Sequence, residues 1–190
     1  MSRQNLQIIR IKKETPDEAE TIRRCLEGDS LAFEGIVEKY RNRVFWTAYH
    51  LVFDSEDARD IAQQTFLKIW ISLKEYDFGK SFSGWVTRIA ANCAIDFLRA
   101  RKSAEPLPEI AADISPLDRN LDIRKLFLRV APLLSERQRT VLVLREVQEM
   151  EMPEIADLLE CSESTVRNLL SQAKEAFRKR VKELFPEYGV

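Results

Sequence analysis

The sequence predicts an all-α protein of two small helical domains joined by a flexible linker. Three observations lead there. Glycine is scarce, with five in 190 residues, while long charged and aliphatic side chains dominate, and these favour helix over strand. Apolar residues recur at helical spacing in two separate blocks. Between the blocks, Ser103 to Asn120 carries Pro106, Pro108 and Pro116, shows no helical period and is acidic, which is how a linker reads. The expected organisation is a tail over 1–14, a first domain over 15–102, the linker over 103–120 and a second domain over 121–190.

Each element has its own signal. Thr15-Pro16-Asp17-Glu18 is a helix start, with a capping Thr15, Pro16 at the first helical position and Glu18 closing a capping box. Ala19, Ile22 and Leu26 would share its inner face, and Gly28 offers a stop. A second helix should begin at Asp29 or Ser30 and bury Phe33, Ile36, Val37, Tyr40, Val44, Ala48, Leu51 and Val52. A third, from Asp54 or Ser55, carries the apolar stripe Ala58, Ile61, Ala62, Thr65, Phe66, Ile69, Trp70 and Leu73. The segment Glu75 to Ser81 reads as a loop. The fourth helix turns Phe82, Trp85, Val86, Ile89, Ala90, Cys93, Phe97 and Leu98 inward.

In the second block a helix covers Leu121 to Val130, and Ser135 with Gln138 forms a capping box that opens the next. That helix bears Val141, Leu142 and Leu144. A short helix runs from Pro153 to Leu159, and Cys161-Ser162 makes a turn with Ser162 as cap. The last helix spans Glu163 to about Leu184.

Composition excludes several function classes. No run of about 18 apolar residues could span a membrane, and Met1 to Lys13 lacks a signal-peptide core, so no membrane insertion and a cytoplasmic location are expected. Three isolated cysteines and one histidine offer neither a zinc site nor a disulfide framework; no metal and no cofactor are expected. No P-loop or nucleophile–base set appears, so no catalytic residue is assigned. Net charge is −1, too low for a protein that grips DNA by bulk charge. The charges are nevertheless segregated. Asp54–Asp60 and Glu105–Asp122 are acidic, whereas Arg99–Lys102 and Arg178–Lys182 are basic, as suits a chain that meets both a basic partner and nucleic acid.

The pair Pro153–Leu159 and Glu163–Leu184 has the pattern of a helix-turn-helix. Ile155, Ala156, Leu158, Leu159, Val166, Leu170, Ala173 and Phe177 would hold it together. Ser164, Thr165, Arg167, Asn168, Ser171, Gln172 and Lys174 would face outward, with the chemistry that reads base edges and phosphates. Helical hairpins that bind no DNA share this pattern.

Two long stretches carry a resemblance. LLSERQRTVLVLREVQEMEMPEIADLLECSESTVRNLLSQAKEAFRKRV resembles the fourth conserved region of extracytoplasmic-function sigma factors, and AFEGIVEKYRNRVFWTAYHLVFDSEDARDIAQQTFLKIWISLKEYDFGKSFSGWVTRIAANCAIDFLRARK resembles their second. Order, spacing and intervening linker agree over most of Thr15 to Val181. The resemblance implies an alternative sigma factor that binds core RNA polymerase, recognises minus-thirty-five and minus-ten promoter elements, assists opening of the DNA and serves a stress-related regulon. It implies promoter DNA and an anti-sigma protein as further partners.

Residue by residue, it assigns polymerase contact to Asp57, Asp60, Gln63 and Gln64, where acidic groups would meet a basic coiled coil. The same acids also suit a helix N-terminus on dipole grounds. It assigns the minus-ten element to Tyr76, Phe78, Lys80, Arg88, Asn92, Asp96 and Arg99, with Arg101 and Lys102 also near phosphates. Aromatic rings offer stacking to an extruded base, although Trp85 and Phe82 read as core. The outward face of the last helix falls to the minus-thirty-five element. Leu169 and Gln172 stand where many relatives have arginine, Glu160 where glycine is frequent, Met152 where a hydroxyl cap is common, and Gln64 where glutamate is frequent. A diverged minus-thirty-five sequence is the expectation. Two other functional classes compete: a stand-alone helix-turn-helix regulator, opposed by the near-neutral charge, and a polymerase adaptor that never touches DNA, opposed by the Asn92 helix and the last helix.

Overall fold

A computed structural model describes residues 16–104 and 123–186, and every regular element in them is helical. The Thr15 cap, the tail with Ile8, Ile9 and Ile11, and most of the linker lie outside the described residues. Four helices build the first domain: α1 (Pro16–Leu26), α2 (Ser30–Val52), α3 (Ser55–Ser72) and α4 (Phe82–Ala104). Four more build the second: α5 (Ile123–Val130), α6 (Glu136–Leu142), α7 (Met152–Leu158) and α8 (Glu163–Leu184). The fourth helix runs to Ala104, past the expected start of the linker at Ser103.

Local chemistry sets the boundaries. α1 ends before Gly28, whose φ of 93° lies in the left-handed region that glycine enters without steric cost. Asp29 caps α2 by accepting from the amides of Leu31 and Ala32, and Asp54 caps α3 through Glu56 and Asp57. Ser135 and Gln138 form the expected capping box on α6. Ser162 accepts from the Thr165 amide at 3.2 Å and caps α8. Ser162→Ala should therefore cost about 1 kcal/mol, read as a lower urea midpoint at unchanged slope; an unchanged midpoint would show that this cap is dispensable.

Some faces differ from expectation. On α1, Cys25 is buried and Leu26 exposed. The buried line is Glu18, Ile22 and Cys25, because Glu18 turns inward to accept from Tyr40 Oη at 2.5 Å and Lys39 Nζ at 2.6 Å. A hydrogen-bonded carboxylate thus takes a place that apolar spacing would give to a hydrophobe. Trp70, expected inside, is 40% exposed, its ring edge-on to Phe33 with centroids 4.8 Å apart. Beyond α6 the chain widens into a π-type turn over Val143–Val147, which apolar spacing did not foretell. The cap of α7 is Glu151 rather than Met152; the Glu151 amide donates to Glu154 Oε2 at 3.0 Å.

Two apolar clusters result. One joins α1, α2 and the start of α4 around Ile22, Ile36, Tyr40, Val44 and Phe82. The other begins on the far ends of α2, α3 and α4 with Leu51, Ile61, Ala91 and Leu98, and continues into the second domain through Val141, Leu144, Ile155, Val166 and Leu170. The helix-turn-helix thus rests against the first domain.

Candidate polymerase and nucleic-acid interfaces

The exposed face of α3 is the first candidate surface. Asp60, Gln63 and Gln64 are exposed, while Asp57 is partly covered and pairs with Arg101 at 3.3 Å. Burial, and after it the neighbouring Asp54, push the Asp57 carboxyl above its ordinary range, and Arg101 pulls against them. Asp60, Gln64, Leu67 and Ile71 follow one another at helical spacing along one face. Leu67 is 60% exposed and Ile71 62%. These two aliphatic side chains were not singled out from sequence, because spacing alone does not say which apolar residues of a nearly continuous stripe stay in water.

The second surface is α4 with the loop before it. Tyr76 is buried, not a free wall: its ring packs on Phe82 and Trp85, and its hydroxyl donates to the Lys80 carbonyl at 2.6 Å. Phe78 stands out at the tip, 45% exposed, with the Arg23 guanidinium 5.7 Å from its ring centroid. Phe82 is core, as expected, and Trp85 is partly buried. Along α4, Asn92 is partly exposed and Asp96 pairs with Lys68 at 3.3 Å. Arg88 and Arg99 reach toward the second domain: Arg88 lies 3.7 Å from Asp157, and Arg99 donates to Glu160 at 2.9 Å and to the Leu158 carbonyl at 3.4 Å.

The third surface is α8. Val166, Leu170 and Ala173 are buried against α6 and α7, which leaves Ser164, Thr165, Arg167, Asn168, Ser171 and Gln172 exposed on the other side. Arg167 is held by Glu163 one turn earlier at 3.1 Å, which keeps the guanidinium on the outer face. Lys174 is less free than expected: it is partly covered and bonded to Glu146 at 2.8 Å. The turn between α7 and α8 passes through Glu160 at φ 52°, the left-handed conformation that explains why glycine suits this position.

Among the described residues, no group of three potential ligands could hold a metal ion, and no helix is long and apolar enough to cross a membrane. Comparison with known proteins agrees with the two-domain reading. Residues 36–104 match the Sigma-70 region 2 family and residues 124–177 match Sigma-70, region 4, together about two thirds of the chain. The ECF RNA polymerase sigma factor SigW of Bacillus subtilis is 29% identical over 86% of this chain and 96% of its own length. The RNA polymerase sigma-H factor of Pseudomonas aeruginosa is 29% identical over 87% of this chain and 94% of its own. Among solved structures, the sigma factor RpoE of Bartonella quintana, in complex with the anti-sigma factor NepR, has the same fold with a TM-score of 0.61. It is 19% identical, and the match covers 79% of this chain and 96% of that one. With both regions present in order on one chain, and relatives matched over nearly their whole length, the protein belongs to the extracytoplasmic-function (group 4) family of RNA polymerase sigma factors.

Proposed function

We propose that the three surfaces divide the work of this sigma factor as follows. The α3 face docks on core polymerase through Asp57, Asp60, Gln63 and Gln64, with Leu67 and Ile71 as its apolar centre. The loop and α4 take the minus-ten element. Phe78 offers a ring to an extruded base, Asn92 and Asp96 offer edge contacts, and Lys80, Arg88 and Arg99 meet phosphates. Tyr76 anchors the loop from beneath. The outer face of α8 reads the minus-thirty-five element through Ser164, Thr165, Arg167, Asn168, Ser171 and Gln172, with Lys174 at its edge.

The observation that carries this reading is the exposed polar face of α8 on the same chain as α4, with the two matched regions in order. Polymerase supplies the catalysis, and this chain supplies address and strand capture. Each DNA contact is modest, and core polymerase adds them together by holding both domains along one promoter. With Leu169 and Gln172 in place of cations, the minus-thirty-five sequence it reads is a diverged one. A location in the cytoplasm, a stress-related regulon and an anti-sigma partner complete the proposal; the Bartonella relative, solved with such a partner, supports the last.

Run-off transcription with purified core on the DNA upstream of the chain's own gene tests it. A discrete transcript that requires the protein is expected, and failure to co-elute with core would reject the function. Asn92→Ala should weaken recognition at one minus-ten position by about 1–3 kcal/mol and spare polymerase binding; equal loss of both would argue against a DNA-reading role.

A further inference from the structure

Phe78 does not stand alone at the loop tip. The guanidinium carbon of Arg23, on α1, lies 5.7 Å from its ring centroid, within the range in which a cation is drawn to an aromatic face. Tyr76 borders another side, with the two centroids 5.2 Å apart and the rings tilted by 56°. The Phe78 ring nevertheless remains exposed, so part of its surface is open to one more flat group.

Arg23 is placed by a well-fastened helix. Its neighbour Ile22 and, two positions on, Cys25 are buried. Arg24 donates to Asp29 Oδ2 from Nε at 3.0 Å and from Nη2 at 2.6 Å, which ties the end of α1 to the cap of α2. Arg23 itself is lightly held. Its ion pair with Glu20 is long, at 3.4 Å, and both side chains are mostly in water, where such a pair is screened and worth little. A stronger anion can displace it. A guanidinium can lean on a ring and donate at the same time, because its N–H groups lie in its own plane. The acid of the loop tip does not compete, since Asp77 Oδ1 is taken by the Gly79 amide at 2.9 Å. Lys80 is exposed and adds a second cation.

An open aromatic ring beside a lightly held guanidinium suits single-stranded nucleic acid, which offers a base to the ring and a phosphate to the fork. We propose that Arg23 is a strand-binding residue: with Phe78 it forms a clamp in which the ring stacks on one unpaired base and the guanidinium takes a phosphate beside it. This rests on the minus-ten reading of the loop and adds α1 to the DNA-contacting surface. The two members answer to different features. The ring needs the base, whereas the guanidinium needs only backbone charge.

The test uses polymerase holoenzyme assembled with the full chain and titrated with forked promoter DNA whose minus-ten strand is unpaired. Arg23→Ala should weaken binding about five- to ten-fold and lower the slope of log affinity against log salt by about 0.7, the share of one single-strand phosphate. Arg23→Lys, which keeps the charge, should restore the slope. Phe78→Ala should also weaken binding but leave the slope unchanged. Its loss should vanish when one particular base of the strand is replaced by an abasic site, while the loss from Arg23→Ala persists there. Arg41→Ala removes an exposed cation of α2, paired with Glu38 at 3.0 Å, and should bind as the parent does. Parent-like affinity of Arg23→Ala would overturn the proposal. So would a loss at unchanged salt slope, which would make Arg23 a prop for the ring, or an equal loss from Arg41→Ala, which would reduce the effect to bulk charge. If Phe78→Ala behaves as expected and Arg23→Ala is silent, only the assignment of Arg23 falls. If both are silent, the minus-ten reading of the loop falls with it.

Discussion

Replacing Leu67 and Ile71 together by aspartate is expected to lower affinity for core polymerase by about 100-fold, or nearly 3 kcal/mol. Both side chains are mostly in water in the free chain, so the fold gives up little packing. The domain should lose no more than about 1 kcal/mol, from the poorer helix propensity of aspartate. At a docked interface the same side chains would be desolvated, and a carboxylate there has to shed its water without a partner. Fluorescence titration with core measures the affinity, and urea unfolding checks the fold. Unchanged affinity in a folded variant would move the docking site off this face. The neighbouring Asp60 and Gln64 would then be read only as favourable charge and polarity on a helix.

Ile155→Ala should destabilise the second domain by about 2–5 kcal/mol. Ile155 is fully buried in α7, within the cluster that includes Val141, Leu144, Val166 and Leu170. Its loss leaves a cavity where α7, α8 and the turn after α6 meet. Since α8 presents its reading face only while its other side is seated, the upstream footprint on promoter DNA should vanish. Binding to core through α3 should persist. A footprint of full extent, with a urea midpoint within experimental error of the parent, would show that the site collapses without cost and would remove α7 from the support of the reading helix.

Much of this was legible in the sequence because helix ends are written in local chemistry. Asp29, Asp54, Ser135 and Ser162 each cap the helix that they announce, and Gly28 stops the one before it. The two sides of α8 were legible for the same reason, since alternation between Val166, Leu170, Ala173 and their polar neighbours is a property of one helix. What was not legible depends on partners distant in the chain. Cys25 rather than Leu26 is buried because Glu18 finds Tyr40, 22 positions away. Tyr76 sinks into the core because Phe82 and Trp85 wait there. The contact of Arg99 with Glu160 joins residues 61 positions apart, and no periodicity reports it.

The loop before α4 has one further consequence. Its two ends are fastened by Tyr76, whose hydroxyl reaches the Lys80 carbonyl, and its crown is fixed by the Gly79 amide on Asp77 Oδ1 at 2.9 Å and the Lys80 amide on the Asp77 carbonyl at 2.9 Å. The Phe78 ring is therefore held out on a frame that exists before DNA arrives. The conformational entropy of ordering that frame is lost when the protein folds, not when a strand separates. Under the proposed minus-ten role, part of the cost of holding a melted base is thus met when the protein folds. The same proposed role makes the loop's expected response to a melted base one of fit rather than of folding.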